Sequence, residues 1–166
     1  ILGKLGYPWS KNCFHLSYGM VNLPDGRMKS REGTVVDADT LIKKMRNDSR
    51  EILENSEKID EFNSEEITLL SKKIGDAALK YFILKIDAKK NMLFNPSESI
   101  DFNGNTGPFI QYSYARIKSV LRKKIKFNPI FNPNDKISLE EKELLKCLLD
   151  YPIIINDAGN FKNPSL

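Results

Sequence analysis

The chain is poor in sulfur and imidazole: it holds two cysteines, Cys13 and Cys147, and one histidine, His15, in 166 residues. The cysteines lie far apart and form no Cys-Xaa-Xaa-Cys pair. That argues against a disulfide framework and a cysteine zinc site, and it fits a reducing cytoplasm. No structural metal is expected. A single histidine inside an apolar run reads as structural before catalytic. Nothing approaches the roughly 18 apolar residues of a bilayer-crossing helix, so a membrane span is excluded, and no secretory leader is legible. Surplus charge is small as well. The 26 Lys and Arg against 22 Asp and Glu give +4, which neither demands nor excludes a nucleic-acid partner, so the distribution of charge has to decide. Internal repeats and low-complexity tracts are absent. The chain opens on Ile1 and closes on Asn163-Pro164-Ser165-Leu166, and both ends read as cut from a larger protein. A hydrophobic content of 40% suffices for one core or two small ones.

What the chain does have is a cationic loop, Asp25 to Thr34, with Arg27, Lys29 and Arg31 between Gly26 and Gly33. Glycines let backbone approach a ligand closely, the cations suit phosphate oxygens, and Ser30 and Thr34 add hydroxyls. Upstream, Cys13 to Val21 is an apolar run that reads as a buried strand of an α/β sheet. Downstream, a helix is expected from Asp37 or Asp39 to about Asn55. A strand, a cationic loop and a helix amino end together face phosphate, because the helix start adds unpaired N–H groups. On composition alone, a solvated hairpin is the commoner outcome for such a loop.

Further elements follow from periodicity. In the first helix Leu41, Met45 and Ile52 form one stripe with Ile42 and Leu53 beside it, while Lys43, Lys44, Arg46, Asp48, Arg50 and Glu51 read as solvated. A second helix, Ser64 to about Ile86, carries Ile67, Leu70, Ile74, Ala77, Ala78, Tyr81 and Phe82, with Gly75 and the alanines permitting close approach by a neighbour. Met92-Leu93-Phe94 reads as a short extended piece. Asn103 to Pro108 is the strongest turn signal, with Thr106 or Gly107 near a helix cap and Pro108 in the first turn. The helix from Phe109 to about Lys126 has an apolar row (Ile110, Tyr114, Ile117, Leu121, Ile125) and a basic row (Lys118, Arg122, Lys126), with Arg116, Lys123 and Lys124 adding charge. These cations repel one another unless solvent screens them or an anion lies near, and phosphate contacts there would position RNA and not read its sequence. Ser138 with Glu141 is a capping box for a helix with Leu144, Leu145, Leu148 and Leu149 inward, which Pro152 should interrupt or restart. Leucines left open at the Leu166 end would favour association.

Two blocks carry a resemblance. His15-Leu16-Ser17-Tyr18-Gly19-Met20-Val21 with Met28-Lys29-Ser30-Arg31-Glu32-Gly33-Thr34-Val35-Val36 resembles the second signature region, the KMSKS loop, of class I aminoacyl-tRNA synthetases in its arginyl form. Phe102 to Ile117, which includes Asn105-Thr106-Gly107-Pro108-Phe109-Ile110-Gln111-Tyr112, resembles the opening of the arginyl enzymes' anticodon-binding domain. The resemblance implies a mainly α chain with a small α/β part. Residues 1–104 would be the tail of a Rossmann-like catalytic domain, and residues 105–166 the truncated start of a helical, DALR-type anticodon-binding bundle.

By the same resemblance the parent is a cytoplasmic, monomeric ATP-dependent ligase that takes L-arginine, ATP with Mg²⁺ and tRNA(Arg). Met28, Lys29, Ser30, Arg31 and Gly33 would bind ATP, with Lys29, Ser30 and Arg31 as catalytic donors to the departing pyrophosphate. Arg116, Lys118, Arg122, Lys123 and Lys126 would contact tRNA. The sequence departs from the common motif, since Arg27-Met28-Lys29-Ser30-Arg31 puts Ser30 where a second lysine is usual; Lys29, Arg31 or a cation elsewhere in the parent would take over. The HIGH signature and the arginine-binding segment are not in these residues, so the isolated polypeptide is expected to be inactive. Two other readings compete: a non-catalytic helical RNA-binding or scaffolding module, and a class I synthetase for another amino acid.

Overall fold

The structure, a computed structural model, describes residues 1–24, 26, 27, 37–56, 59–123 and 136–166. Its packed part is a helical pair, α1 (Ala38–Glu54) and α2 (Ser64–Leu84), backed by a small sheet. Contacts run from Arg46 against Asp76 to Arg50 against Thr68, so one helix descends as the other rises. Gly75 sets how close they come: a Cβ there would lie 2.7 Å from the Met45 carbonyl oxygen. Leu41 and Met45 of α1 meet Ala78 and Phe82 of α2, with Phe94 and Ile100 completing the core. Met45, Ala78 and Phe94 are fully buried, and Phe82 and Phe94 meet edge to face at 5.0 Å, the favoured aromatic arrangement.

Capping starts the helices. Helix α2 starts at Ser64 as expected, capped by Asn63: its Oδ1 accepts from Glu66 N at 2.9 Å while Glu66 Oε2 accepts from Asn63 N. After β3 (Met92–Leu93) and the short α3 (Pro96–Ser99), Thr106 caps α4 (Gly107–Arg122) by accepting from Phe109 N, and Pro108 sits in the first turn. Ser138 and Glu141 form the expected box at the start of α5 (Leu139–Phe161).

Three expectations are corrected. The run Cys13–Val21 is not a buried strand. Only Val21–Leu23 (β1) is a strand, and it is half-buried; Phe14, Leu16, Tyr18 and Met20 are exposed. A strand needs a neighbour, and among the described residues pairing begins only where Met92 N donates to the Met20 carbonyl. From there β1 runs parallel to β3 and antiparallel to β2 (Gly26–Arg27), giving the order β2-β1-β3. Second, Pro152 neither breaks nor restarts α5, which runs through it. The ring removes one N–H, and the carbonyl it would have served belongs to exposed Leu148. Third, Leu144, Leu145, Leu148 and Leu149 are exposed, and α5 has no buried residue. Helix α4 is buried only at Gly107 and Pro108.

Candidate functional site

Lys29, Ser30, Arg31, Met28, Gly33 and Lys126 lie outside the described residues, so the structure speaks of the frame around the cationic loop and not of the loop itself. On one side, β1 turns at Pro24 into β2. On the other, α1 begins at Ala38 behind Asp37, whose side chain makes no capping hydrogen bond. Asp37 and Asp39 place two exposed carboxylates at that helix start. They offset the helix end's partial positive charge, so attraction for a phosphate has to come from the loop's own cations. Between strand end and helix, Leu23, Pro24, Leu41, Lys44, Asn95, Pro96 and Ser97 line an open cleft of about 270 Å³.

The frame is tied to its helices. Arg46, expected in solvent, makes a two-pronged ion pair with Asp76, Nε to Oδ1 at 2.7 Å and Nη2 to Oδ2 at 2.9 Å. The forked bond holds the Asp76 carboxyl below its ordinary range and raises the Arg46 guanidinium. Strand β1 is anchored by Gly19, whose N–H donates to the Ala88 carbonyl at 2.7 Å and whose Cα leaves room for the Lys90 backbone. His15 is exposed rather than packed in a strand. It lines a groove with Phe14, Asp87, Lys89 and Lys162.

On α4, Arg116, Lys118, Arg122 and Lys123 are all exposed, and among the described residues none is paired with a carboxylate. They do not share one face. At about 100° per residue, Lys118 and Arg122 fall seven and eleven positions after Gln111, on the line that meets α2, while Arg116 is about 140° away and shares its side with Lys123. Each line carries an aromatic: the Arg116 guanidinium lies 5.7 Å from the Tyr112 ring centre, and the Lys118 ammonium 5.4 Å from that of Tyr114. The sequence pattern sets Tyr114 in the apolar row and gives neither tyrosine a role, although the four-residue spacing of each pair is legible in it. Exposed cations interleaved with aromatic rings can hold phosphate and stack on bases.

Two family models match the chain in succession. The family described as tRNA synthetases class I (R), catalytic domain, matches residues 1–96, and the DALR anticodon binding domain matches residues 110–166. Arginine–tRNA ligases of Flavobacterium psychrophilum and Phocaeicola vulgatus are 52% and 51% identical over alignments that take in all of this chain, and that of Porphyromonas gingivalis strain W83 is 46% identical. The chain spans 28% of the length of each of these relatives. The solved arginyl-tRNA synthetase of Thermus thermophilus superposes with a TM-score of 0.75 at 26% identity, over 99% of this chain and 26% of that one. That of Plasmodium falciparum gives 0.62 at 27% identity, over 86% and 23%.

Proposed function

This chain belongs to the class I arginyl-tRNA synthetase family, and on that premise we propose that it is a segment of an arginine–tRNA ligase. In this reading residues 1–104 close the catalytic domain and residues 105–166 open the anticodon-binding domain. What supports it most is the order of the two family matches, with the cationic loop inside the first and the basic helix inside the second.

The parent enzyme takes L-arginine and ATP as its magnesium complex, forms arginyl-adenylate with release of pyrophosphate, and passes the arginyl group to a terminal ribose hydroxyl of tRNA(Arg). It works in the cytoplasm as a monomer. As the bond between the α- and β-phosphates breaks, charge builds on the departing oxygens. Cations and N–H donors held around them lower the barrier because they bind the transition state more strongly than ATP. Met28 to Gly33 form that clamp, with Lys29, Ser30 and Arg31 as side-chain donors and Lys29 or Arg31 taking the part of the missing second lysine. Arg116, Lys118, Arg122, Lys123 and Lys126 contact tRNA phosphates. The exposed cation and aromatic lines of α4 suit an RNA backbone whether or not the parent catalyses, which keeps a purely RNA-binding role as the alternative.

The test is tRNA charging by the full-length protein with each amino acid in turn. Charging with arginine alone is expected. Charging with a different amino acid would move the chain to another synthetase, and tight, salt-sensitive tRNA binding with no charging would favour the RNA-binding module.

A further inference from the structure

Helix α4 meets α2 along a short seam. Gly107 lies so close to the Ala77 carbonyl that any Cβ would overlap it, and Pro108 beside it is fully buried. The Tyr81 hydroxyl donates to Asn105 Oδ1, and Lys85 Nζ donates to the Asn105 carbonyl at 3.0 Å. One turn into α4, Gln111 Nε2 donates to the Lys73 carbonyl at 3.2 Å. The other end of that amide, Oε1, is buried and has no partner among the described residues. Reversing the amide would set two oxygens against each other, so the orientation is fixed by its one bond. Methionine would fill the same space without burying an unsatisfied acceptor, so packing and stability do not by themselves call for glutamine at this position.

We propose that this seam is a rigid joint that sets where α4 stands relative to α2 and the strand end, and that Gln111 is its positioning residue. The inference rests on the proposed function. In that reading the tRNA body is held by the helical segment while its 3′ end must reach the adenylate beside the cationic loop, so the joint fixes the distance between the two. A tilt at Gln111 swings the far end of α4, and with it Lys118 and Arg122, by an amount that grows with distance from the seam at about 1.5 Å of axis per residue. A displacement of this kind costs transfer rate without touching the nucleotide contacts, because near-attack geometry is sensitive to small misplacement.

The test uses the full-length protein with Gln111→Met and Gly107→Val. For Gln111→Met the melting temperature should stay at or above wild type, since an unpaired buried oxygen is removed. The kcat/KM for tRNA in arginylation should fall about fivefold, the equivalent of one net hydrogen bond of about 1 kcal/mol. The KM for ATP and the salt slope of tRNA binding should not change. Gly107→Val, whose side chain has to push α4 away from the Ala77 carbonyl, should lower transfer further and cost thermal stability, with the KM for ATP again unchanged. Wild-type transfer in both variants, a rise in KM for ATP in parallel with the fall in transfer, or a loss of thermal stability in Gln111→Met would overturn the joint. If the wild-type protein does not charge tRNA with arginine, the proposed function fails and the joint fails with it. An active wild type with indifferent variants removes the joint alone.

Discussion

The two segments of this chain differ in what holds their helices. In the first, α1 and α2 share a closed core with Met45, Ala78 and Phe94 fully buried and a forked ion pair across the crossing. In the second, α4 and α5 are started by well-formed caps yet leave Ile117, Leu121, Leu144, Leu148 and Leu149 exposed. Caps act within a turn and specify that a helix begins; burial needs a neighbour, and caps do not provide one. The first segment therefore carries its own core, whereas among the described residues the second is tied to it only at its edges, by the Gly107–Gln111 seam on α2 and by Asn163 on Asp87.

The strongest way to break this contrast is truncation on both sides of it. In this polypeptide Phe94→Ala should lower stability by about 3 to 5 kcal/mol, the range for a buried aromatic. Leu148→Ala should change it by less than about 0.5 kcal/mol, as for an exposed position. Chemical denaturation followed by circular dichroism reads both, and comparable losses would mean that α5 is packed after all. A smaller effect is expected for Gly75→Ala. A methyl 2.7 Å from the Met45 carbonyl has to push the helices apart, at a cost of about 1 to 3 kcal/mol. An unchanged melting curve would show that the crossing is looser than described.

The basic helix sharpens the contrast from the other side. Replacing Lys118 and Arg122 together by alanine should reduce the slope of log affinity for tRNA against log salt by about 2, one unit for each phosphate no longer neutralised. Replacing Arg116 and Lys123 tests the line about 140° away from Gln111. Equal reductions for both pairs would mean that tRNA wraps both sides of α4.

The least effect belongs to Asp76→Asn. Its folded pKa is lowered by the Arg46 hydrogen bonds, so its stabilisation is present above the ordinary carboxylate value of about 4 and is lost as pH falls through the lower folded value. The difference between wild type and variant should be greatest near neutrality and disappear in strong acid. A difference independent of pH would assign the loss to packing.

Legibility in the sequence followed the same divide between local and distant causes. The starts of α4 and α5 were readable because Thr106 with Pro108, and Ser138 with Glu141, act on backbone within three residues. The start of α2 at Ser64 is legible from the acids of its first turn, whereas the cap on Asn63 is not, since Asn63 and Ser64 are both cap formers and only geometry separates them. The strand at Cys13–Val21 was overread because apolar composition does not reveal whether a pairing partner is near. Arg46 reads as solvated because its partner stands 30 positions away in the chain. Of the candidate site, the two signature blocks were legible as residue types in order, while the splitting of the α4 cations into two lines and the Gln111 seam required the helix and its neighbour. The roles of Met28 to Gly33 lie outside the described residues.

The central claim is that the loop between β2 and α1 holds a departing diphosphate. It is tested most directly by ATP–pyrophosphate exchange in the full-length protein carrying Lys29→Ala and Arg31→Ala, with arginine and tRNA saturating. The account predicts a fall in maximal exchange rate of about a hundredfold or more with a much smaller change in KM for ATP, as expected of contacts that strengthen only as charge develops. An unchanged exchange rate, or equal losses in both parameters, would contradict it.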